Sequence, residues 1–431
     1  MRRALAVLGL VAFCSCSTTP TATFTLNVGG EADALLRSPA PTTLIVQALD
    51  TKGNAQELAR AALPTDELSL GDKSRTDVGA LRVLAVDAAG KTLLRGETLY
   101  VQFGALENSP LDVFLQRTGE LARMPGGTAM LDGPRLGVAV ARYVVAASGT
   151  TIQVYDLLRL TALTGLPALP RPARSLVTFG AAAIVIDEAG ATTVDLSDSS
   201  TSELLAPTGI TFAEIAGGAT VTAADGSAYV VGATRATGGP SNRVLVFGKD
   251  GTLTAATLAK PREGACATWV DGRGLVVVGG NGTDPGVEVL APGALQSAVL
   301  AYAPDGVKGC GASTLDASHV LVAGGTGSPV DVAGAAPARV VDLACASGCV
   351  PAVWPGVMPL VRAESFTLTQ DAALIAGDDA TGASRVFRAT LSAITELPVK
   401  APRRNARLIA LPIKGTAAIV GGAGPIEQYI E

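Results

Sequence analysis

Histidine is almost missing from this chain: His319 is the only one in 431 residues. One imidazole cannot furnish a Cys/His zinc set or a His-rich copper site. A Ser-His catalytic pair would rest on His319 alone, in DASHVLVAGG, and no G-x-S-x-G turn occurs anywhere. His319 is therefore expected to be a structural residue at the start of an inner strand. Aromatics are also scarce, at 4% of residues, so any core must be built from Ala, Val, Leu and Ile around dense turns supplied by 50 glycines and 25 prolines. Basic residues show no excess: 33 Lys and Arg against 38 Asp and Glu leave a net charge of −5, which argues against a nucleic-acid partner. Nor does any stretch approach 18 uninterrupted apolar residues, so no membrane-spanning helix is expected.

The N-terminus, MRRALAVLGLVAFCSCSTTPTATF, pairs basic Arg2 and Arg3 with an apolar run from Ala4 to Phe13. That run is half the length needed to cross a bilayer and reads as an export signal. Its FCSC ending is similar to the bacterial lipobox, with Cys16, preceded by Ser15, as the residue that receives lipid. The resemblance implies a signal peptide over 1–16, a tether over 17–23 and a lipid-anchored protein of the bacterial cell envelope. Ser17 after Cys16 implies outer-membrane placement. Four further cysteines, Cys266, Cys310, Cys345 and Cys349, form an even set in an exported chain, which favours disulfides over metal. CASGC at 345–349 can close a local loop.

Residues 24–117 alternate short apolar runs with turns: TFTLNVG, TTLIVQALD, ALRVLAVD, KTLLRGETLYVQFG and LDVFLQR all read as strands. DAAGK at 87–91 reads as a hairpin turn, and QELARAALP at 56–64 as a short helical turn. The segment resembles the immunoglobulin-like β-sandwich domains that stand between a lipid anchor and a larger module.

From residue 118 to 431 a repeat takes over. YVVAAS, AIVIDE, YVVGAT, VVVGGN, LVAGGT, LIAGDD and AIVGGA align on Ala146, Asp187, Gly232, Gly279, Gly324, Gly377 and Gly421, at intervals of 41, 45, 47, 45, 53 and 44 residues. Such a period signals propeller blades of four short strands. Asp225, Asp271, Asp316 and Asp371 precede the β-branched runs in phase. Pro134-Arg135, Arg174, Pro261-Arg262, Arg362 and Pro402-Arg403 open several units, and a third run such as VEVLAP or IEQYIE closes each. With its glycine positions Gly232, Gly279-Gly280, Gly324-Gly325, Gly377 and Gly421-Gly422, the segment resembles the kelch family of β-propellers. The resemblance implies an all-β chain with a seven-bladed, alternatively six-bladed, propeller. The last unit is one strand short, and GELARMP at 119–125 is expected to supply the missing strand. Cys266 and Cys310 lie 13 and 14 residues before their Gly-Gly pairs, which suggests a disulfide between the inner strands of successive blades.

Glycine-rich GGNGTDPG at 279–286 lacks dinucleotide-binding spacing, and Gly90-Lys91-Thr92 sits in a hairpin rather than a phosphate loop. No cofactor or metal is expected. Glu263, Glu364 and Asp378 are the carboxylates expected to face the channel mouth. Glu263 and Glu364 follow Arg262 and Arg362, so a structural Arg-Glu role is the simpler reading. Insertions at 233–242, 325–339 and 378–384 all follow the glycine position and should share one face. The sequence thus points to a non-catalytic binding or scaffold module for a protein or glycan partner at the cell envelope. The alternative is a carbohydrate-active propeller enzyme with channel-facing carboxylates.

Overall fold

A computed structural model describes residues 24–65, 76–103, 111–126 and 136–431, apart from 236, 283, 285, 328–333, 355, 370, 391 and 423. The signal segment with Cys16, the tether to residue 23 and Pro134-Arg135 lie outside the described residues.

Beyond residue 118 the strands of the described residues gather into seven small antiparallel sheets. Sheet 1 contains Leu136–Val140, Tyr143–Ser148, Thr151–Asp156 and Thr161–Ala162. Sheet 2 contains Ser175–Phe179, Ala182–Ile186, Ala191–Asp195 and Thr201–Leu204. Sheet 3 runs through Ala219–Thr222, Ala228–Val231, Ser241–Phe247 and the long Leu253–Glu263, with Asn281–Gly282 added at its edge. Sheet 4 has Cys266–Val270, Gly274–Val278, Val287–Leu290 and Ala298–Val299; sheet 5 has Gly311–Thr314, His319–Ala323, Arg339–Asp342 and Ala352–Val353. Sheet 6 has Arg362–Thr369, Ala372–Asp378, Ser384–Thr390 and Ile394–Leu397, and sheet 7 has Arg407–Ala410, Thr416–Val420 and Glu427–Ile430. The first strand of each sheet touches the first strand of the next, and Arg407–Ala410 touches Leu136–Val140, so the series closes into a ring. This is the architecture of a β-propeller.

Why the apolar runs are continuous rather than alternating is now plain. They are the second strands, covered by neighbouring sheets on both faces. Every residue of Gly274–Val278 and of Thr416–Val420 is buried. Sheet 7 is completed by Leu121–Arg123, whose residues Leu121, Ala122 and Arg123 pair with Tyr429, Gln428 and Glu427. The strand comes from the stretch expected to supply it.

The N-terminal segment is built on one large antiparallel sheet. Thr43–Leu49 lies between Ala55–Ala62 and Val78–Val86, followed outward by Thr92–Glu97 and Gln116–Arg117. Phe24–Asn27 and Leu111–Phe114 form a separate parallel pair, and Leu111 and Val113 pack with Leu44, Val46, Leu81 and Val83. The helical turn expected at 56–64 is not there. Residues 55–62 are a strand paired with 43–49, with a bulge beside Val46 and Gln47. The helix-forming character of QELARAA is overridden by an available sheet edge. DAAGK is the hairpin turn that the sequence suggested: Gly90 donates its amide to the Asp87 carbonyl at 3.0 Å and has φ +82°. That geometry leaves no phosphate cradle.

Candidate functional site

The Gly-Gly positions sit at one rim of the ring, and the chain needs glycine there for two reasons. Gly279 and Gly280 have φ of +67° and +95°, and Gly324 and Gly325 have +64° and +95°, in the left-handed region. Each pair also abuts the next sheet. The Gly280 amide donates to the Val307 carbonyl at 2.7 Å, and the Gly325 amide to Leu360 at 2.8 Å. A Cβ on Gly324 would stand 2.7 Å from that same Leu360 oxygen. Gly421, Gly422 and Gly232 share the positive φ. Gly377 does not; its strand runs on to Asp378, and a Cβ there would meet the Arg362 carbonyl. A second girdle runs closer to the axis: Gly264 donates to Gly232, Gly309 to Gly264 and Ala363 to Gly309, at 2.8–2.9 Å.

Beneath the glycines lie buried ion pairs. Arg262 is fully buried and gives Nη1 to the carbonyls of Gly279 and Gly286, at 3.0 and 2.7 Å, and Nη2 to Glu288. Glu288 in turn accepts the amides of Ala259 and Lys260 and the Ser297 hydroxyl. Sheet 7 repeats the device. Arg403 holds the carbonyls of Gly421 and Pro425 and the Glu427 carboxylate at 2.6 Å, and Glu427 accepts the amides of Lys400 and Ala401. Sheet 5 inverts it: Asp305 follows Pro304 as Arg262 follows Pro261, and the cation is Arg339 on the third strand, 2.9 Å away through Nε. Burial pulls Arg262 below the usual guanidinium range, and Glu288 opposes that pull; the group stays charged.

These contacts refine the sequence reading in three places. Arg262 pairs with Glu288, not with its neighbour Glu263, which instead meets Thr234 and Asn281 at 3.0 and 3.3 Å. Arg362 reaches Asp378 at 2.9 Å through Nε and lies 3.9 Å from Glu364, while Glu364 is also engaged by Arg407 and by the Leu408 amide. In sheet 2 the rim arginine is Arg171, bound to Asp187 at 2.8 Å, rather than Arg174, whose contact with Glu188 is exposed and longer. Glu288, Glu427, Asp305, Arg339 and Arg171 were all missed. The Pro-Arg signal marked one partner, and the acidic residue opening the third strand was the unread sign of the other.

The three carboxylates considered for glycoside chemistry are thus each held by protein groups; Asp378 also accepts the Ser384 hydroxyl at 2.6 Å and the Asn405 amide at 3.0 Å. His319 opens the second strand of its sheet, and its ring Nδ1 lies 2.8 Å from Asp316. Cys266 and Cys310 are disulfide-bonded, with Cα atoms 5.4 Å apart, and link sheets 4 and 5. Cys266 begins an inner strand and Cys310 immediately precedes the next one. Cys345 and Cys349 close their local loop, with Cα atoms 5.9 Å apart. Two disulfides suit a compartment where thiols oxidise. Among the described residues no group of three or more His, Cys, Asp or Glu could hold a metal ion, and no helix is long and apolar enough to cross a membrane.

The first strands enclose a central bore of about 1080 Å³. Small side chains dominate its wall, and Trp269 is the one indole there. The insertions after Gly232, Gly324 and Gly377 all connect second to third strands, so their described residues share the glycine rim.

No family model matches the chain, and no curated protein does. Among solved structures, it is similar to the N-terminal domain of Nup159 (12% identity, 72% of this chain and 94% of that one, TM-score 0.45). It is also similar to BBS1N in complex with ARL6DN (12% identity, 73% and 94%, TM-score 0.45). TolB from Acinetobacter baumannii aligns over 77% of this chain and 78% of its own, with 12% identity and a TM-score of 0.40.

Proposed function

We propose that this chain is an exported binding or scaffold module: a lipid anchor at Cys16, an immunoglobulin-like sandwich over 24–117, and a seven-bladed propeller of kelch type from 118. In this reading each of the seven sheets is one blade, and the loop-bearing rim engages a protein or glycan partner at the cell envelope, with outer-membrane placement through the lipid.

One observation carries it. Four buried or half-buried ion pairs beneath the rim are spent on holding the ring: Arg262 with Glu288, Arg403 with Glu427, Arg339 with Asp305 and Arg362 with Asp378. What such a rim offers a partner is shape and the loops that follow the glycines.

The test combines glycan arrays and envelope-extract pull-downs with the soluble form lacking residues 1–16, against a variant whose turn is shortened within 379–383. Capture that depends on the rim loop supports the reading. Hydrolysis of an arrayed glycan that is lost in Glu364→Gln would replace it with the carbohydrate-active alternative.

A further inference from the structure

The bore is not the same all the way round. On the arc of sheets 4 to 6 its hydroxyls tie one sheet to the next. Thr314 donates to the Trp269 carbonyl at 2.8 Å, Thr367 donates to the Thr314 carbonyl at 2.8 Å, and Ser313 and Ser365 bond each other at 2.5 Å. Those residues have a structural explanation.

On the arc of sheets 2 to 4 the same residue type does something different. Thr178, Thr220, Thr222 and Thr268 all line the bore. Within the described residues, none of their hydroxyls has a hydrogen-bond partner. Thr220 and Thr222 are exposed, with buried Val221 between them turned into the sheet packing. Beside them stands Trp269. Its ring stacks on Tyr229, with centroids 5.3 Å apart and planes at 19°. Its indole N–H donates to Asp271 at 3.0 Å. The indole is therefore oriented before any ligand arrives, which reduces the ordering cost of binding.

We propose that this arc binds a neutral polyhydroxylated chain, a carbohydrate, with Trp269 as the platform for sugar C–H faces and Thr178, Thr220, Thr222 and Thr268 as hydrogen-bonding groups. Each threonine hydroxyl is both donor and acceptor, as a sugar hydroxyl is, and four together match such a ligand at many orientations. An aromatic face beside them supplies the apolar contact that separates a sugar from water. A bore of about 1080 Å³ is slightly larger than the usual ligand cavity and admits an oligosaccharide. The inference rests on the binding-module reading but moves the contact from the loop rim to the bore.

The chain has only two tryptophans, and Trp354 is buried between sheets 5 and 6, so emission changes on binding report Trp269. The detergent-solubilised full chain is titrated with neutral hexasaccharides of glucose, xylose, mannose and N-acetylglucosamine. The expected result is a saturable change in tryptophan emission with at least one of them. The change should be absent in Trp269→Phe, and affinity should be about tenfold weaker in Thr220→Val/Thr222→Val, two exposed strand positions where valine preserves the fold. No saturable change with any of the four sugars overturns the proposal, as does affinity unchanged in the valine pair. Shortening the turn within 379–383, with Asp378 and Ser384 kept, leaves this titration unaffected, so failure at the rim and failure in the bore are read separately.

Discussion

At the scale of single residues, the molecule depends on a few charges placed where water is not. Arg262 and Glu288 are both fully buried, and each satisfies backbone groups as well as the other. Such a pair contributes little when intact compared with what its breaking costs, because truncating one member strands the other charge. Glu288→Ala is expected to lower the unfolding free energy by about 3–5 kcal/mol, read from the guanidinium midpoint; a change near zero would show that the pair is hydrated. Asp187 gives a pH-dependent case. Burial raises its pKa, but the Arg171 guanidinium and the amides of Ala189 and Gly190 outweigh burial and hold it below the ordinary 3.8. Its stabilisation is therefore full above the unfolded-state value and is lost as pH falls through the lower folded one. Asp187→Asn should melt below the parent protein at pH 7, with the gap closing well under pH 3.8; a constant gap across that range would remove Arg171 as its cause.

At the scale of strands and links, two features hold neighbours together. The Cys266–Cys310 bond spans 44 residues between sheets 4 and 5 and should contribute about 2–4 kcal/mol. Thermal melts with and without reductant measure this, and alkylation of the unreduced protein at either cysteine would contradict it. Leu121–Arg123 is the second feature. Leu121 is almost wholly buried against the sheet 6 and 7 core, with Tyr429. Compared with a chain beginning at residue 118, one beginning at 126 should melt several degrees lower or fail to fold; equal melting temperatures would mean that the added strand is ornamental. Much of this level was legible. The second strands announced themselves because two-sided burial demands unbroken apolar runs, and Leu121–Arg123 because the last unit lacked a strand. The fourth strands Thr161–Ala162, Ala298–Val299 and Ala352–Val353 were not legible, since a two-residue outer strand leaves no period to read. Residues 55–62 misled because their composition favours helix while a sheet edge was free. Of the candidate site, Pro261-Arg262 and Pro402-Arg403 were visible, but their partners lie 26 and 24 residues onward and only the fold joins them.

At the scale of the whole molecule, the N-terminal sheet and the ring share hydrogen bonds rather than merely a peptide link. Gln116 donates to the Gln428 carbonyl at 3.1 Å and Arg95 to the Lys414 carbonyl at 3.2 Å. Glu431 is drawn in as well, bound by Arg388 and by the Tyr429 hydroxyl. The two parts are thus expected to unfold together. Both tryptophans belong to the ring, so Leu94→Ala, a cavity in the N-terminal core worth about 2–5 kcal/mol, should move the tryptophan-detected transition along with the circular-dichroism one. A tryptophan transition left in place would show two independent units.

The pairing of residue 121 with residue 429 has a temporal side. A chain made from its amino end releases Leu121–Arg123 early, about three hundred residues before its partner Glu427–Ile430 exists. Until the final residues emerge, both the waiting strand and the growing series of sheets present bare edges to their surroundings. Closure of the ring must therefore wait for the last of these residues, and the interval is when a holdase or a mispaired neighbour would find its opening.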